Sequence, residues 1–459
     1  MSDHRLRVVT LNCWGLKYVS KHRKERIAAI ADVLASSDYD VVILQEIWVY
    51  SDYEYVRSAV SKNIPYSKFF YSGALGAGLA IFSRFPIIGA TIHPYSLNGS
   101  PIEVIQGDWF VGKAAASVLL SHPILGQVQI FNTHLFAPGG DSGPSHLQAH
   151  RLVNAWEFAK LVRQAAEAGR YVIAAGDFNS TPSSLPMTII RDHAAVKDAW
   201  VASHPNTPPT MQPSPRDAVH DHGITADSPL NSFSVGKRLE PIARKFHGKR
   251  LDYILYRQPS NNNGKAPTLK CMDTRVVFTE LVPGRDFSFS DHFGVEATFE
   301  ITPVNDDSQD DSPDPPSPYA NHSADSSAPS VVLIATANPS SIPADALSTD
   351  SITEVLHSLM ACYRFSIYRA RSQLTVFGVC IMLLLVILVG SPWLPPSWLN
   401  TFVIFLTIFL AWLATTFLYV GFVYGRWEVN ALTNVIEELE IYRNSLLDQQ
   451  SRLQANARG

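Results

Sequence analysis

Val172-Ile173-Ala174-Ala175-Gly176-Asp177-Phe178-Asn179 is a short apolar run that stops abruptly at an acid and an amide. Its length and β-branched start fit a buried strand, and glycine followed by Asp and Asn marks the strand end. The same pattern recurs in both directions along the chain. Leu6–Leu11 ends at Asn12-Cys13-Trp14-Gly15, Val41–Leu44 at Gln45-Glu46, and Val128–Asn132 at Thr133-His134-Leu135. Downstream, Leu251-Asp252-Tyr253 opens the run Leu251–Tyr256, and Ser290-Asp291-His292 precedes Gly294–Ile301. Leu79–Phe82, Ala116–Leu120 and Arg275–Phe278 read as further strands, while Arg23–Ser36 and His146–Ala168 carry helical periodicity. Many strands, few helices and several hairpin-length connections predict a layered α/β sandwich rather than a doubly wound parallel sheet.

The 459 residues are 46% hydrophobic, enough for a large core, and the net charge of −4 supplies no global basic field for a polyanion. That disfavours nucleic acid as the partner. Cys13, Cys271, Cys362 and Cys380 show neither disulfide-framework nor zinc spacing. The first thirty residues carry Arg5, Arg7, Lys17, Lys21, Arg23 and Lys24 without an apolar stretch, so no secretory signal is expected and the N-terminal domain should face the cytosol.

Beyond residue 302 the composition shifts to Ser, Asp, Pro and Ala, which reads as a linker over 303–350; the short run Val331–Ala335 within it has no clear reading. An amphipathic juxtamembrane segment follows at 351–371. Leu374–Val389 and Phe402–Val423 then each approach the roughly 20 apolar residues that a helix needs to cross a bilayer. They predict a two-helix transmembrane hairpin over 372–424. Arg364, Arg369 and Arg371 before it and Arg426 after it place both outer flanks in the cytosol by the positive-inside rule. These arginines could also attract anionic phospholipids, which would then activate the protein. Over 425–459 the apolar residues Val429, Leu432, Val435, Ile436, Leu439, Leu446 and Leu447 recur near helical spacing, as expected of a solvated or self-pairing cytosolic helix. The endoplasmic reticulum and the mitochondrial outer membrane both suit a multi-pass protein of this topology.

A strand-end Asp or Asn is by itself more often a turn former than a catalytic group. Here six such ends carry complementary acids, amides and imidazoles, and strand ends in layered sheets are where distant side chains share a cleft. The chemistry they suit is phosphodiester hydrolysis. Glu46 and Asn12 offer the hard oxygen ligands that Mg²⁺ prefers. His292 suits a general base, with Asp252 accepting from its other ring nitrogen. Asn179 and His134 can meet charge on the phosphoryl oxygens.

In order, LNCWG (11–15), LQE (44–46), NTHL (132–135), GDFN (176–179), LDY (251–253) and SDH (290–292) resemble the Mg²⁺-dependent endonuclease/exonuclease/phosphatase superfamily. The resemblance implies a four-layered α/β sandwich of two packed central sheets flanked by helices, forming a catalytic domain over 1–302. It implies Glu46 as principal metal ligand with Asn12 beside it and Asp291 near the metal. His292 is then the base, oriented by Asp252, while Asp177 and Asn179 handle water, leaving group and phosphorane, and His134 contacts phosphate. Tyr95–Gly99, Gln106–Lys113, Gly78–Ile87, His150-Arg151 and Ala155–Glu157 resemble, more narrowly, the neutral sphingomyelinases and fungal inositol phosphosphingolipid phospholipases C. This implies a sphingophospholipid substrate in a membrane, ceramide as product, and Asp108 and Lys113 as residues needed for activity. Phe136-Ala137-Pro138-Gly139-Gly140 departs from the family pattern, which bears on the head group. Gly107 to Lys113 also fits a nucleotide-type phosphate loop, but Ala114 stands where Ser or Thr would hold Mg²⁺. A surface Asp108–Lys113 salt bridge, a nuclease of the same superfamily, an inositol polyphosphate phosphatase and a catalytically dead membrane scaffold are the competing readings.

Overall fold

The computed structural model describes residues 4–103, 107–140, 143–206, 213–260, 266–303, 347–393 and 397–456. Twelve strands form two six-stranded sheets. The first has β1 (Arg5–Asn12), β2 (Val41–Gln45), β3 (Tyr66–Phe69), β4 (Ala80–Ser83), β11 (Thr268–Val277) and β12 (Gly294–Thr302), in the order β11-β12-β1-β2-β4-β3. The second has β5 (Ile87–Pro94), β6 (Ala114–His122), β7 (Gly126–His134), β8 (Tyr171–Asp177), β9 (Lys197–Asp198) and β10 (Asp252–Arg257), in the order β5-β6-β7-β8-β10-β9. All nine strands expected from sequence are present.

Period-two alternation sorts the side chains into layers. Leu6 and Val8 of β1 meet Ile130, Ile173 and Ile254 of the second sheet, while Val9 and Leu11 turn outward onto Ile27, Ile30 and Val56. Those last residues belong to helices α1 (Arg23–Ser36) and α2 (Tyr50–Val60), the outer layer on that side. On the other side, helix α3 (Ser145–Glu167) covers the second sheet through Leu152, Phe158 and Val162. The four-layered sandwich follows.

Among these layers lies a polar pin. Asn132, fully buried, donates from Nδ2 to Leu44 O at 2.9 Å and Ala80 O at 3.0 Å, and accepts from Gln45 Nε2 at 2.8 Å. It thereby joins β7 of one sheet to β2 and β4 of the other, so this strand-end amide is structural.

Two further helices lie over α3. Helix α4 (Thr349–Gly390) and helix α6 (Gly425–Asn456) are connected through α5 (Ser397–Leu418) and a π-helical turn at Tyr419–Tyr424. Val355 and Leu359 of α4 and Leu432, Val435 and Leu439 of α6 share one core with Leu152 and Trp156 of α3. Trp156 donates from Nε1 to Glu438 at 2.8 Å. The apolar face of the C-terminal helix, expected to be solvated or self-pairing, is therefore spent inside the same chain, because α3 offers a complementary apolar face. Two helical stretches, Thr349–Trp393 and Leu399–Ala455, are long and apolar enough to cross a membrane, and their most apolar portions are hardly covered by the rest of the chain. Their length and composition are compatible with membrane association. Most of the 303–350 stretch, Val331–Ala335 included, lies outside the described residues.

Replacing Asn132 by Leu removes its bonds to Leu44 O, Ala80 O and Gln45 Nε2, the last of which keeps Thr10 Oγ1 as a partner. At about 0.5–1.5 kcal/mol net for each hydrogen bond lost, the variant is expected to lose roughly 2–4 kcal/mol of stability. The denaturant midpoint of the detergent-solubilised chain reads this, and an unchanged midpoint contradicts the pin.

Candidate active site

The sheets end together on one side. Asn12 leaves the C-terminal end of β1, Glu46 follows β2, His134 closes β7, Asp177 closes β8 and Asp252 opens β10. Asp177 is register partner to both His134 and Asp252. Gly176 permits that approach, since a Cβ there would lie 2.0 Å from Thr133 O. Trp14, Glu46 and Asn179 all adopt left-handed backbone, with φ of 45°, 53° and 46°. Such conformations cost L-residues of order 1 kcal/mol or more and persist only where the surroundings enforce them.

Asn12 is the meeting point. Its Nδ2 donates to Asp177 Oδ2 at 3.0 Å and to Glu46 Oε1 at 3.2 Å, while its Oδ1 accepts from Trp14 N at 3.0 Å. In this arrangement Asn12 presents its amide nitrogen to Glu46, with its oxygen turned away. Asn179 holds the far side of Asp177, donating from its backbone N to Oδ1 at 2.9 Å, and its side chain donates to Leu135 O at 3.0 Å.

Across the cleft His292 and Asp252 form a dyad, Nδ1 to Oδ2 at 2.8 Å. The His292 Nε2 faces Asp177 Oδ2 at 4.0 Å. Burial opposes a charge on His292, but the carboxylates of Asp252, Asp177 and Asp291 outweigh it and lift its pKa well above the ordinary imidazole value. Burial also raises Asp252, although His292 opposes it. Asp177 is equally buried, yet His292, His134 and Lys113 together keep it below the usual carboxylate range.

Lys113 lies at the back of the cleft and is 3% exposed. Its Nζ reaches Asp108 Oδ1 at 3.0 Å, Leu135 O at 2.9 Å and His134 Nε2 at 3.0 Å. A surface salt bridge is ruled out by this burial. Because Lys113 donates to Nε2, His134 is a neutral acceptor there, and burial plus the lysine charge push its pKa down to about 3. Its Nδ1 is buried without a partner among the described residues.

Two groupings could hold a cation. Ligand-type atoms of Asp177, Asp252 and His292 lie within 4.8 Å of one another, the compact set of acids and imidazole among the described residues. A cation there, however, must displace the hydrogen bond between Asp252 and His292. Glu46 is the better fit. Burial, then the like charge of Asp291, push its pKa up to about 7, the condition of an acidic pair that lacks its counter-charge. Glu46 and Asp291 are hard oxygen donors suited to a divalent ion, with Asn12 adjacent.

Several supporting roles are not legible in the sequence. Thr225 accepts at Oγ1 from the backbone N of Leu251 and Asp252, at 3.1 and 3.3 Å. Ser290 donates to Asn12 O at 2.6 Å and ties the last loop to β1. Asn98 donates to Lys113 O at 3.1 Å. Thr225 carries no sequence signal, because it acts on backbone groups; Ser290 and Asn98 lie within SDH (290–292) and Tyr95–Gly99, where nothing singles out their backbone-tying roles. Glu428 is equally hidden: from α6 it takes two bonds from Arg369 at 2.6 and 2.7 Å and faces His150 Nε2 at 3.1 Å. His150 in turn accepts from Gly99 N at 2.9 Å, and Tyr424 donates to Gly99 O. This knot joins three C-terminal residues to the loop beside Asp108. Burial opposes a charge on His150, but the side chains of Cys362 and Glu428 outweigh it and leave its pKa raised to about 9.

Residues 9–292 match the model of the Endonuclease/Exonuclease/phosphatase family, and the chain belongs to that family. Within it the chain lies among proteins named for sphingophospholipid cleavage. The Inositol phosphosphingolipids phospholipase C of Schizosaccharomyces pombe is 36% identical over 447 residues, spanning 95% of this chain and 93% of its own length. That of Saccharomyces cerevisiae is 36% identical over 337 residues, 67% of this chain and 68% of its own. Sphingomyelin phosphodiesterase 2 of Homo sapiens is 32% identical over 298 residues, 65% of each chain.

A stability measurement checks the cation site. In the metal-free protein Glu46 titrates near 7 against an ordinary 4.5, so its ionisation costs stability progressively as pH rises through that window. Glu46→Gln removes the penalty, and at pH 8 the metal-free variant is expected to be more stable than wild type by about 3 kcal/mol at most. Mg²⁺ at 100 times its Kd should add about 2.7 kcal/mol to wild type and little to the variant. Equal Mg²⁺ responses contradict the placement.

Proposed function

We propose that this chain is a Mg²⁺-dependent phospholipase C that hydrolyses sphingophospholipids, inositol phosphosphingolipids or sphingomyelin, to ceramide and a phosphorylated head group. One observation carries the substrate class: the likeness to the Schizosaccharomyces pombe protein runs through 95% of this chain, the apolar C-terminal helices included. A nuclease or an inositol polyphosphate phosphatase of the same family has no use for that hairpin.

The residues divide the work as follows. Neutral His292 takes the proton of the attacking water through Nε2, held by Asp252 in the tautomer that leaves Nε2 free. Asp177, fixed by Asn12 and Asn179, lies 4.0 Å from that nitrogen and helps to orient the water. The ammonium of Lys113, balanced by Asp108 at rest, meets the charge that builds on the phosphoryl oxygens, and His134 fixes its position. Glu46, with Asp291, would hold Mg²⁺, which when bound neutralises phosphate oxygens and polarises the phosphorus. His134 serves better as the lysine's acceptor than as a direct phosphate donor, since its Nε2 is taken.

Both helical spans would place the catalytic domain at the cytosolic face of the endoplasmic reticulum or mitochondrial outer membrane. Activation by anionic phospholipids would rest on Arg364 and Arg371, which are exposed, whereas Arg369 is committed to Glu428. Self-association through α6 has little apolar surface left, chiefly Trp427, Ile441 and Leu447.

His292→Ala is expected to lower kcat by about 10²-fold or more on either sphingophospholipid in mixed micelles. Asp252→Asn tests the dyad by sign. A raised pKa keeps His292 protonated, and so unable to act as base, to higher pH. Removing the carboxylate lowers that pKa, so the acidic limb of kcat/KM should move to lower pH while the plateau falls. A limb that stays in place contradicts the assignment.

A further inference from the structure

The direction in which the spans leave the domain is fixed by contacts along α3. Cys362 donates to His146 O, the Phe365 ring stacks on His146 at 4.3 Å, and Glu428 meets His150, all at the start of α3. Glu438 meets Trp156 further along it. Helix α4 therefore runs towards the N-terminal end of α3 and α6 runs away from it, so the apolar stretches project past that end. It is also the end at which β7 delivers His134 and β8 delivers Asp177, because α3 crosses back between these two parallel strands. The membrane spans and the catalytic cleft thus share one side of the sandwich.

That side carries uncovered apolar side chains. Loop 70–79, between β3 and β4, lies at the same end, since Phe69 and Leu44 both pair with Ala80. It leans on the Lys113 loop: Leu75 N donates to Phe110 O at 3.0 Å, and Gly73 packs so closely on Gly112 that neither tolerates a Cβ. On this loop Tyr71 is 63% and Leu75 61% exposed. Ile102, 42% exposed, lies beside Glu103, which lines a small cleft with Phe365 and Arg369 at the root of the first span. Trp427, 61% exposed, donates to Ser96 O just beyond the second span. From the span roots to the lip of the cleft, aromatic and aliphatic groups recur where an aromatic belt would sit.

We propose that Tyr71, Leu75, Ile102 and Trp427 form a bilayer-contacting surface continuous with the helical hairpin, so that the cleft opens directly onto the lipid head groups. The proposal rests on the phospholipase reading. An exposed apolar patch on a soluble face would be an aggregation hazard, whereas next to two spans it has an occupant, the interfacial lipid. The rim thereby saves the substrate from leaving the bilayer to reach Lys113 and His292, and head-group phosphate is presented at the membrane surface.

The test uses the full chain in lipid nanodiscs. All four native cysteines are buried, so Leu75→Cys and Ile102→Cys take an environment-sensitive fluorophore selectively. Gln127→Cys, exposed at the start of β7 and so at the opposite end from His134, serves as control. Lipids carrying a spin-label quencher near the head group are expected to quench positions 75 and 102 and to leave 127 bright. Tyr71→Ser with Leu75→Ser should lower hydrolysis of bilayer sphingophospholipid about tenfold or more and leave hydrolysis of a short-chain, monomerically dispersed substrate unchanged. Bright labels at 75 and 102 with active enzyme overturn the surface. So does an equal loss on both substrates. Quenched labels on a chain that hydrolyses no sphingophospholipid would keep the surface and remove the phospholipase reading.

Discussion

Two separate sheets must stop at one level for this site to exist, and at the cleft the amide of Asn12 spans the gap between them. Asn12 belongs to the first sheet, yet its Nδ2 binds Glu46 from that sheet and Asp177 from the second. Further in, Asn132 fastens β7 to β2 and β4. With these two crossings fixed, the register of β8 against β7 and β10 leaves no freedom in where Asp177, His134 and Asp252 appear. Slipping any of these strands by one residue would turn its functional side chain into a core layer.

The cleft's second constraint is electrostatic. Glu46, Asp177, Asp252 and Asp291 face two imidazoles and one ammonium in a largely buried space. Breaking one partner of a buried charge pair typically costs about 3–5 kcal/mol, so Lys113 and Asp108 must be held as a unit, and in the proposed reaction it is a phosphate that would share the lysine. A phosphodiester and a divalent cation arriving together would add net positive charge to this acid-rich cleft. The cationic and imidazole groups explain why so many acids tolerate one another here, while burial still leaves Glu46 and Asp252 raised.

Much of this was legible in the sequence because strand ends carry a local signature. The runs ending at Asn12, Glu46, His134 and Asp177 were recognisable as strands, and the residues beyond them do converge. Helix α2 was missed because Tyr50–Val60 mixes Ser, Asp, Glu and Arg with its apolar residues and buries a narrow face. Strand β5 escaped because Ile87–Pro94 is an edge strand, half exposed, that ends in proline. Residues that act through backbone, such as Thr225, have no pattern to read. The C-terminal helix was visible as amphipathic, but periodicity cannot tell which partner covers an apolar face. Its partner is α3, and Arg369, legible only as a positive flank, turns out to be half of a buried pair with Glu428.

The central claim is that water attacks phosphorus in this cleft and leaves ceramide with its original oxygen. Turnover in ¹⁸O-enriched water, with both products read by mass spectrometry, tests it directly. One heavy oxygen in the released phosphorylated head group and none in ceramide is the expected result. Label in ceramide, or an unlabelled cyclic phosphate of the head group, would show a different bond breaking or a different nucleophile, and would contradict the account.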